Sequence, residues 1–295
     1  MITFIGLKRR TSGKIRGHQI SEKIKGSNFF DHSEVLSNLD KVNKIVVVVR
    51  NRSNHVERIL KSKGHVLGYD ILDSVGSDFY FRNKVSLHSD FIDTSLFNFY
   101  IVNNTLAKKQ IQEKFENNEK AYVIPHHHVN FIQQRSYNGE GKIKYAGYVG
   151  LPEQLTDKEE IKKILNKYNI ELLENEGNDY KETCETLKKI QIGVTNMENK
   201  FTDVFKNCKP NTKLSNYQSY GIVTLCNDST SFKEFGNNSY LKHDNLEEFE
   251  RNLKLLVQDR ELRIEISNES YKHSKLLHIN NVIKNYDNII KDFAK

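Results

Sequence analysis

Five consecutive β-branched residues, Ile45-Val46-Val47-Val48-Val49, constrain this chain more than any other stretch. A strand with no polar face needs cover on both sides, which is the situation inside a parallel sheet with helices packed above and below. The surrounding sequence repeats the theme. Residues 2–7, 66–72, 97–102 and 121–124 read as further strands. Residues 53–63 and 105–115 read as helices between them, the second capped by Asn103 or Asn104. Strands alternating with helices predict an α/β fold with a doubly wound sheet.

At 295 residues the chain exceeds what one core usually organises, so two domains of roughly 130 to 150 residues are expected. The second half continues the pattern. Helices are predicted over 157–168, 180–188 and 200–206, strands over 170–173 and 190–194, and two terminal helices over 246–259 and 261–294. The longest aliphatic run is far short of a membrane span and no apolar signal region opens the chain, so a soluble, intracellular protein is expected. Cys184, Cys208 and Cys226 are widely spaced and form no CxxC, which argues against a disulfide framework or a Cys-type zinc site and suits reduced thiols in the cytosol.

The formal charge of +7 is unevenly placed. Residues 1–130 hold 20 Lys and Arg against 13 Asp and Glu, whereas residues 131–295 balance at 25 each. Lys8, Arg9, Arg10, Lys14, Arg16, Lys23 and Lys25 face only Glu22 in the first 25 residues. This is a strand, a basic loop with Gly13 and Gly17, then a helix over 18–24, without GxGxxG spacing. Its position after the first strand suits ligand binding, and Arg16 would offer a planar fork to phosphate or carboxylate. A solvated charged face, an anionic substrate, a lipid surface and nucleic acid all remain open, although no nucleic-acid-binding motif accompanies the loop.

Pro125-His126-His127-His128 invites a metal reading. Successive residues of an extended chain point to opposite sides, so no more than two of these rings reach one ion without help. Lining a ligand site is the alternative.

Lys209-Pro210-Asn211-Thr212-Lys213-Leu214 opens a loop, helix, Gly, strand unit. Pro210 and Asn211 suit a helix start, Leu214, Tyr217 and Gln218 follow at helical spacing, and Gly221 suits a left-handed stop before Ile222-Val223-Thr224-Leu225. Free N–H groups, a partial positive pole and Lys213 together form a phosphate-binding helix end. An ordinary helix-to-strand connection with a surface lysine is the plainer alternative.

Lys209, Pro210, Thr212, Lys213, Leu214, Gly221, Ile222, Thr224 and Glu234 together resemble the donor-binding segment of glycosyltransferases with the two-Rossmann (GT-B) architecture. Val123-Ile124-Pro125-His126-His127 is similar to the strand end that closes the N-terminal domain of such enzymes, and Tyr145-Ala146-Gly147-Tyr148-Val149-Gly150 to the strand that opens the donor domain. The resemblance implies two Rossmann-like domains with a deep interdomain cleft: residues 1–130 on the acceptor side, 131–277 on the nucleotide-sugar side, and 278–295 as a C-terminal helix crossing back to the first domain. It implies transfer of a sugar from a nucleotide-sugar donor to a hydroxyl of a glycan or glycolipid, as in polysaccharide biosynthesis, by a cytoplasmic protein that needs no metal or other cofactor. Residues 8–25 would meet an anionic membrane surface, and no nucleic-acid partner is implied. Gly150, Lys209, Asn211, Thr212, Lys213 and Glu234 would bind the donor. Gly13, Arg16, Gly17, His126 and His127 would line the cleft, with His18 or Asp31 as the base.

The chain departs from the family pattern in three places. Leu151 stands where a cation commonly follows the glycine, Gln191 and Gly193 where an acidic residue is common, and Cys208 and Asn216 where retaining members carry glutamates. These departures leave the stereochemistry open. They also keep a non-catalytic sugar-nucleotide-binding protein as the alternative, with a nucleic-acid binder third.

Overall fold

The computed structural model describes residues 1–50, 53–72, 94–114, 120–177, 179–195 and 207–294. The chain divides into two compact units. The first comprises Met1–His126, Asp203–Pro210 and Ile279–Lys295, and the second His127–Thr202 and Asn211–His278. The helix expected over 200–206 lies outside the described residues.

The first unit is built on six parallel strands: β1 (Ile2–Gly6), β2 (Asn28–Asp31), β3 (Ile45–Val49), β4 (Val66–Asp70), β5 (Phe99–Val102) and β6 (Lys120–Val123). Their order is β2-β1-β3-β4-β5-β6. All five residues of β3 are buried, as a continuous β-branched run requires when helices cover both faces. Val46 and Val48 join Leu67, Tyr69, Tyr100 and Val102 in one core.

The second unit carries β7 (Tyr145–Val149), β8 (Glu171–Asn175), β9 (Ile192–Thr195), β10 (Val223–Cys226) and β11 (Tyr240–Lys242), all parallel, in the order β11-β10-β9-β7-β8. In each sheet the first strand has its successor on one side and the third strand on the other. The chain therefore reverses direction across the sheet between β1 and β3 and between β7 and β9, and the carboxyl ends at such switch points are where ligands bind in open α/β sheets. The α/β class and its two parallel sheets agree with the sequence reading.

Two strands were not legible. Asn28–Asp31 and Tyr240–Lys242 are short edge strands, and pairing with β1 and β10 holds them in place rather than any alternation of their own. The helix expected over 18–24 begins earlier, as a π-helical turn over Gly13–His18 that runs into Gln19–Ser21. The long terminal helix expected over 261–294 is also corrected. It stops at Ser274, and a short 3₁₀ turn leads to His278 in an extended conformation before the Ile279–Val282 and Tyr286–Phe293 helices. The His278 ring bonds to the Phe131 carbonyl at 3.2 Å and packs against His128, contacts that an uninterrupted helix does not provide. Among the described residues no helix is long and apolar enough to cross a membrane.

Candidate functional site

The most developed site lies at the switch point of the second sheet. Strands β7 and β9 pair only at Ala146 with Ile192 and Gly147 with Gly193. Past Gly147 the phenol of Tyr217 fills the gap. Its oxygen accepts the Val149 N–H at 3.1 Å and lies 3.1 Å from the Gly147 carbonyl and 3.2 Å from that of Val194, to either of which it can donate. A β-carbon at Gly193 would stand 2.5 Å from the Tyr217 ring, so this glycine makes the insertion possible. That explains one departure from the family pattern. Gln191 has an equally local task, its side-chain oxygen accepting the Lys144 and Tyr145 N–H groups.

Tyr217 belongs to the helix Thr212–Ser219, which the sequence pattern anticipated. Asn211 precedes it with no side-chain capping bond, and the first backbone bond closes from Ser215 N–H to the Asn211 carbonyl at 2.9 Å. The N–H groups of Thr212, Lys213 and Leu214 precede that bond and are the donors a helix start offers. The helix ends as the sequence suggested. Gly221 has φ +75°, its N–H donates to the Gln218 carbonyl and Ile222 N–H to that of Tyr217, a Schellman closure.

Gly150 follows β7 with φ +152°. Its N–H donates to the Asn175 carbonyl at 2.8 Å, which ties the turn to β8. A β-carbon at this position would lie 2.8 Å from Lys213 Cε, 3.2 Å from Lys213 Nζ and 3.2 Å from Tyr148 Oη. Glycine thus makes room for the Lys213 side chain, whose ammonium lies with the Tyr148 hydroxyl close to the Gly150 backbone. The Lys213 ammonium sits 5.2 Å from the centre of the Tyr148 ring, a cation–π approach that orients the side chain over the turn. Sequence reasoning passed over Tyr148. The period of two along a strand puts residues 148 and 150 on one face, and that was the available signal.

Glu234 lies exposed on the helix Thr230–Gly236, which begins after β10 with the Ser229 hydroxyl accepting the Phe232 N–H. Asp228, in the same connection, accepts from the Tyr240 hydroxyl at 3.0 Å and pairs with Lys233 at 3.1 Å. Lys209 is half-buried and belongs to the first unit, whereas Asn211, Thr212 and Lys213 belong to the second.

In the first unit the basic loop separates into two kinds of cation. Lys8, Arg9, Arg10 and Lys14 are exposed. Arg16 is completely buried: Nε donates to Asp70 Oδ2 at 2.8 Å, and Nη1 donates to the Ile124 and Pro125 carbonyls at 3.1 and 2.9 Å. This corrects the expectation of a guanidinium fork offered to a ligand, because three of its bonds hold the helix against the ends of β4 and β6. The two glycines have a local packing reason. A β-carbon at Gly13 would stand 2.3 Å from the Leu7 carbonyl oxygen, and one at Gly17 2.5 Å from the Phe29 ring, so their close approach is to the chain's own β1 and β2.

His18 is exposed, 3.7 Å from Glu22 and edge-on to Phe29. Asp31 accepts the N–H of Lys8 at 2.9 Å and the Ser33 hydroxyl at 3.0 Å. The Lys8 N–H, assisted by Ser33, holds its carboxyl below the ordinary carboxylate range, which makes Asp31 a poor proton acceptor. His126 is buried in the first unit, and His127 is buried in the second with its ring stacked on Phe131. His128 bonds to the Ser274 carbonyl at 3.1 Å. Among the described residues no group of three His, Cys, Asp or Glu side chains is placed to hold a metal ion.

No family model matches the sequence, and no curated protein does. Solved structures do. HepE from Anabaena, crystallised with UDP and glucose, superposes with a TM-score of 0.67 at 7% identity, over 100% of this chain and 99% of that one. Sucrose-phosphate synthase from Thermosynechococcus elongatus gives 0.62 at 8% identity, over 99% and 98%. The lipopolysaccharide outer core galactosyltransferase WaaB, in its apo form, gives 0.61 at 11% identity, over 99% of each. The chain therefore has the GT-B glycosyltransferase fold.

Proposed function

We propose that this protein is a glycosyltransferase that takes a sugar from a nucleotide-sugar donor and passes it to a hydroxyl of a glycan or glycolipid acceptor. The observation that carries the reading is that Lys213, in the first turn of the Thr212–Ser219 helix, lies with the Tyr148 hydroxyl beside Gly150, just past the carboxyl end of β7 at the switch point of the sheet. Negative charge grows on a diphosphate as the glycosidic bond breaks, and a cation with oriented N–H groups stabilises that charge more in the transition state than in the ground state. The reading gives this task to Lys213, Thr212 and the helix rather than to a metal ion. HepE, solved with UDP and with UDP-glucose, shares the fold and supports a nucleotide-sugar as the donor class.

The exposed cations Lys8, Arg9, Arg10 and Lys14 would draw in an anionic acceptor, and the exposed His18 is preferred over Asp31 as the base because the Asp31 carboxylate already accepts hydrogen bonds from Lys8 and Ser33. Mass spectrometry of a panel of nucleotide sugars incubated with the protein tests the reading, with a chelator in a parallel arm. Slow release of free sugar and nucleoside diphosphate from one donor, surviving chelation, is the expected result. Binding of a donor without any turnover, across acceptors, would favour the second reading.

That second reading, a sugar-nucleotide-binding protein without catalysis, draws on Cys208 and Asn216. Cys208 is fully buried in the first core, and the Asn216 side-chain oxygen accepts the Val129 N–H at 3.0 Å. Neither presents a carboxylate to a substrate.

A further inference from the structure

We propose that the Tyr148 hydroxyl is a second hydrogen-bond donor to the diphosphate, acting with Lys213 beside the Gly150 backbone. This rests on the donor-site reading above and names a contact that reading does not supply. Tyr148 is 1% exposed, and its oxygen has no hydrogen-bond partner among the described residues. A buried phenol that bonds to nothing is costly, and a phenylalanine would fill the same space without that cost. The ring belongs to the apolar core of the second unit, while the oxygen lies beside Gly150. It lies 3.2 Å from the position a Gly150 β-carbon would take, and Lys213 Nζ lies 3.2 Å from the same point. Two donors therefore lie close to one point beside the Gly150 backbone, and any side chain at residue 150 would crowd both. Leu151, 39% exposed, has no side-chain donor to add.

The chemistry of the surroundings fits an anion. Burial raises the phenol above its ordinary value, with Glu153 and Glu174 adding to the effect, so the group stays O–H at neutral pH and can only donate to a phosphate oxygen. Glu174 is held by Lys158 at 2.6 Å and Lys162 at 3.3 Å, which offsets its repulsion of an incoming phosphate. If the tyrosine served only as a platform for the lysine, its ring would suffice and its hydroxyl would be dispensable.

Tyr148→Phe keeps the ring, the cation–π contact and the packing, and removes only the oxygen. Calorimetric titration of the full chain with UDP, GDP, ADP and pyrophosphate would be compared for wild type, Tyr148→Phe and Lys213→Ala. For the nucleotide that wild type binds, Tyr148→Phe is expected to weaken binding about 10- to 100-fold, as loss of a bond to a charged group does, with no fall in thermal midpoint. The corresponding nucleoside, lacking phosphate, should not distinguish the two proteins. Equal nucleotide affinity in Tyr148→Phe, with a loss in Lys213→Ala, would overturn the role of Tyr148 and leave the donor-site reading standing. A Tyr148→Phe protein that failed to fold would make the hydroxyl structural and overturn it too. Wild type binding none of these phosphates would bring down the donor-site reading and this contact together.

Discussion

Arg16 Nε donates to Asp70 Oδ2 at 2.8 Å, and neither side chain exposes any surface. The pair joins a helix that follows β1 to the carboxyl end of β4, and burial raises the Asp70 carboxyl even with the guanidinium beside it. Removing one member strands the other charge in a low-dielectric interior. Arg16→Met is therefore expected to destabilise the protein by about 3–5 kcal/mol, and Arg16→Met combined with Asp70→Leu to recover much of that loss. Urea denaturation of the three proteins measures it. An Arg16→Met protein of wild-type stability would return Arg16 to the list of ligand-binding cations.

Lys213→Ala removes the ammonium that faces Gly150 and leaves the helix intact, because residue 213 is in the first turn and only half-buried. Nucleoside-diphosphate binding should weaken by about 1.5–3 kcal/mol, with stability nearly unchanged. Unaltered affinity would remove Lys213 from the site.

Gly221→Ala tests the helix stop. The residue sits at φ +75°, and an added β-carbon would meet the Tyr137 carbonyl oxygen at 2.3 Å. Backbone strain and that clash should together cost roughly 1–3 kcal/mol, read as a lower thermal midpoint. A variant as stable as wild type would mean the Schellman closure is not what holds the helix against β10.

Acid should destabilise the second unit through two histidines. Burial lowers His128 to about 4, with His278 adding to the effect, and burial also lowers His243 to about 4. Both are neutral in the folded protein at pH values where an unfolded histidine already binds a proton. Their contribution is complete above about pH 6.5 and is lost as pH falls from there toward about 4, on the order of 2–3 kcal/mol for each. His128→Gln retains a donor for the Ser274 carbonyl without a titrating group, so its stability should fall less steeply between pH 6.5 and 4.5 than that of wild type. Chemical denaturation across that range would show the two slopes, and identical slopes would contradict the assignment.

Local pattern was enough for much of the architecture. The β-branched run over Ile45–Val49 announces a strand covered on both faces, and Pro210 with Gly221 brackets the helix Thr212–Ser219, because apolar periodicity and the dihedral limits of proline and glycine act within a few residues. The alternation of strands and helices likewise pointed to parallel sheets and to their carboxyl ends as the place for a site. Other features depended on partners far along the chain. Among seven cations in the first 25 residues, sequence cannot single out Arg16 as the buried one, since its partner Asp70 is 54 positions away. Tyr148 meets Lys213 only because β7, β9 and the helix that plugs them are brought together, and Gly193 has a purpose only once Tyr217 lies against it. Edge strands β2 and β11 exist because a neighbour offers them a ladder. Secondary structure follows from short-range sterics and periodicity, whereas the burial of a charge or the orientation of a phenol is set by contacts that form only when distant segments pack.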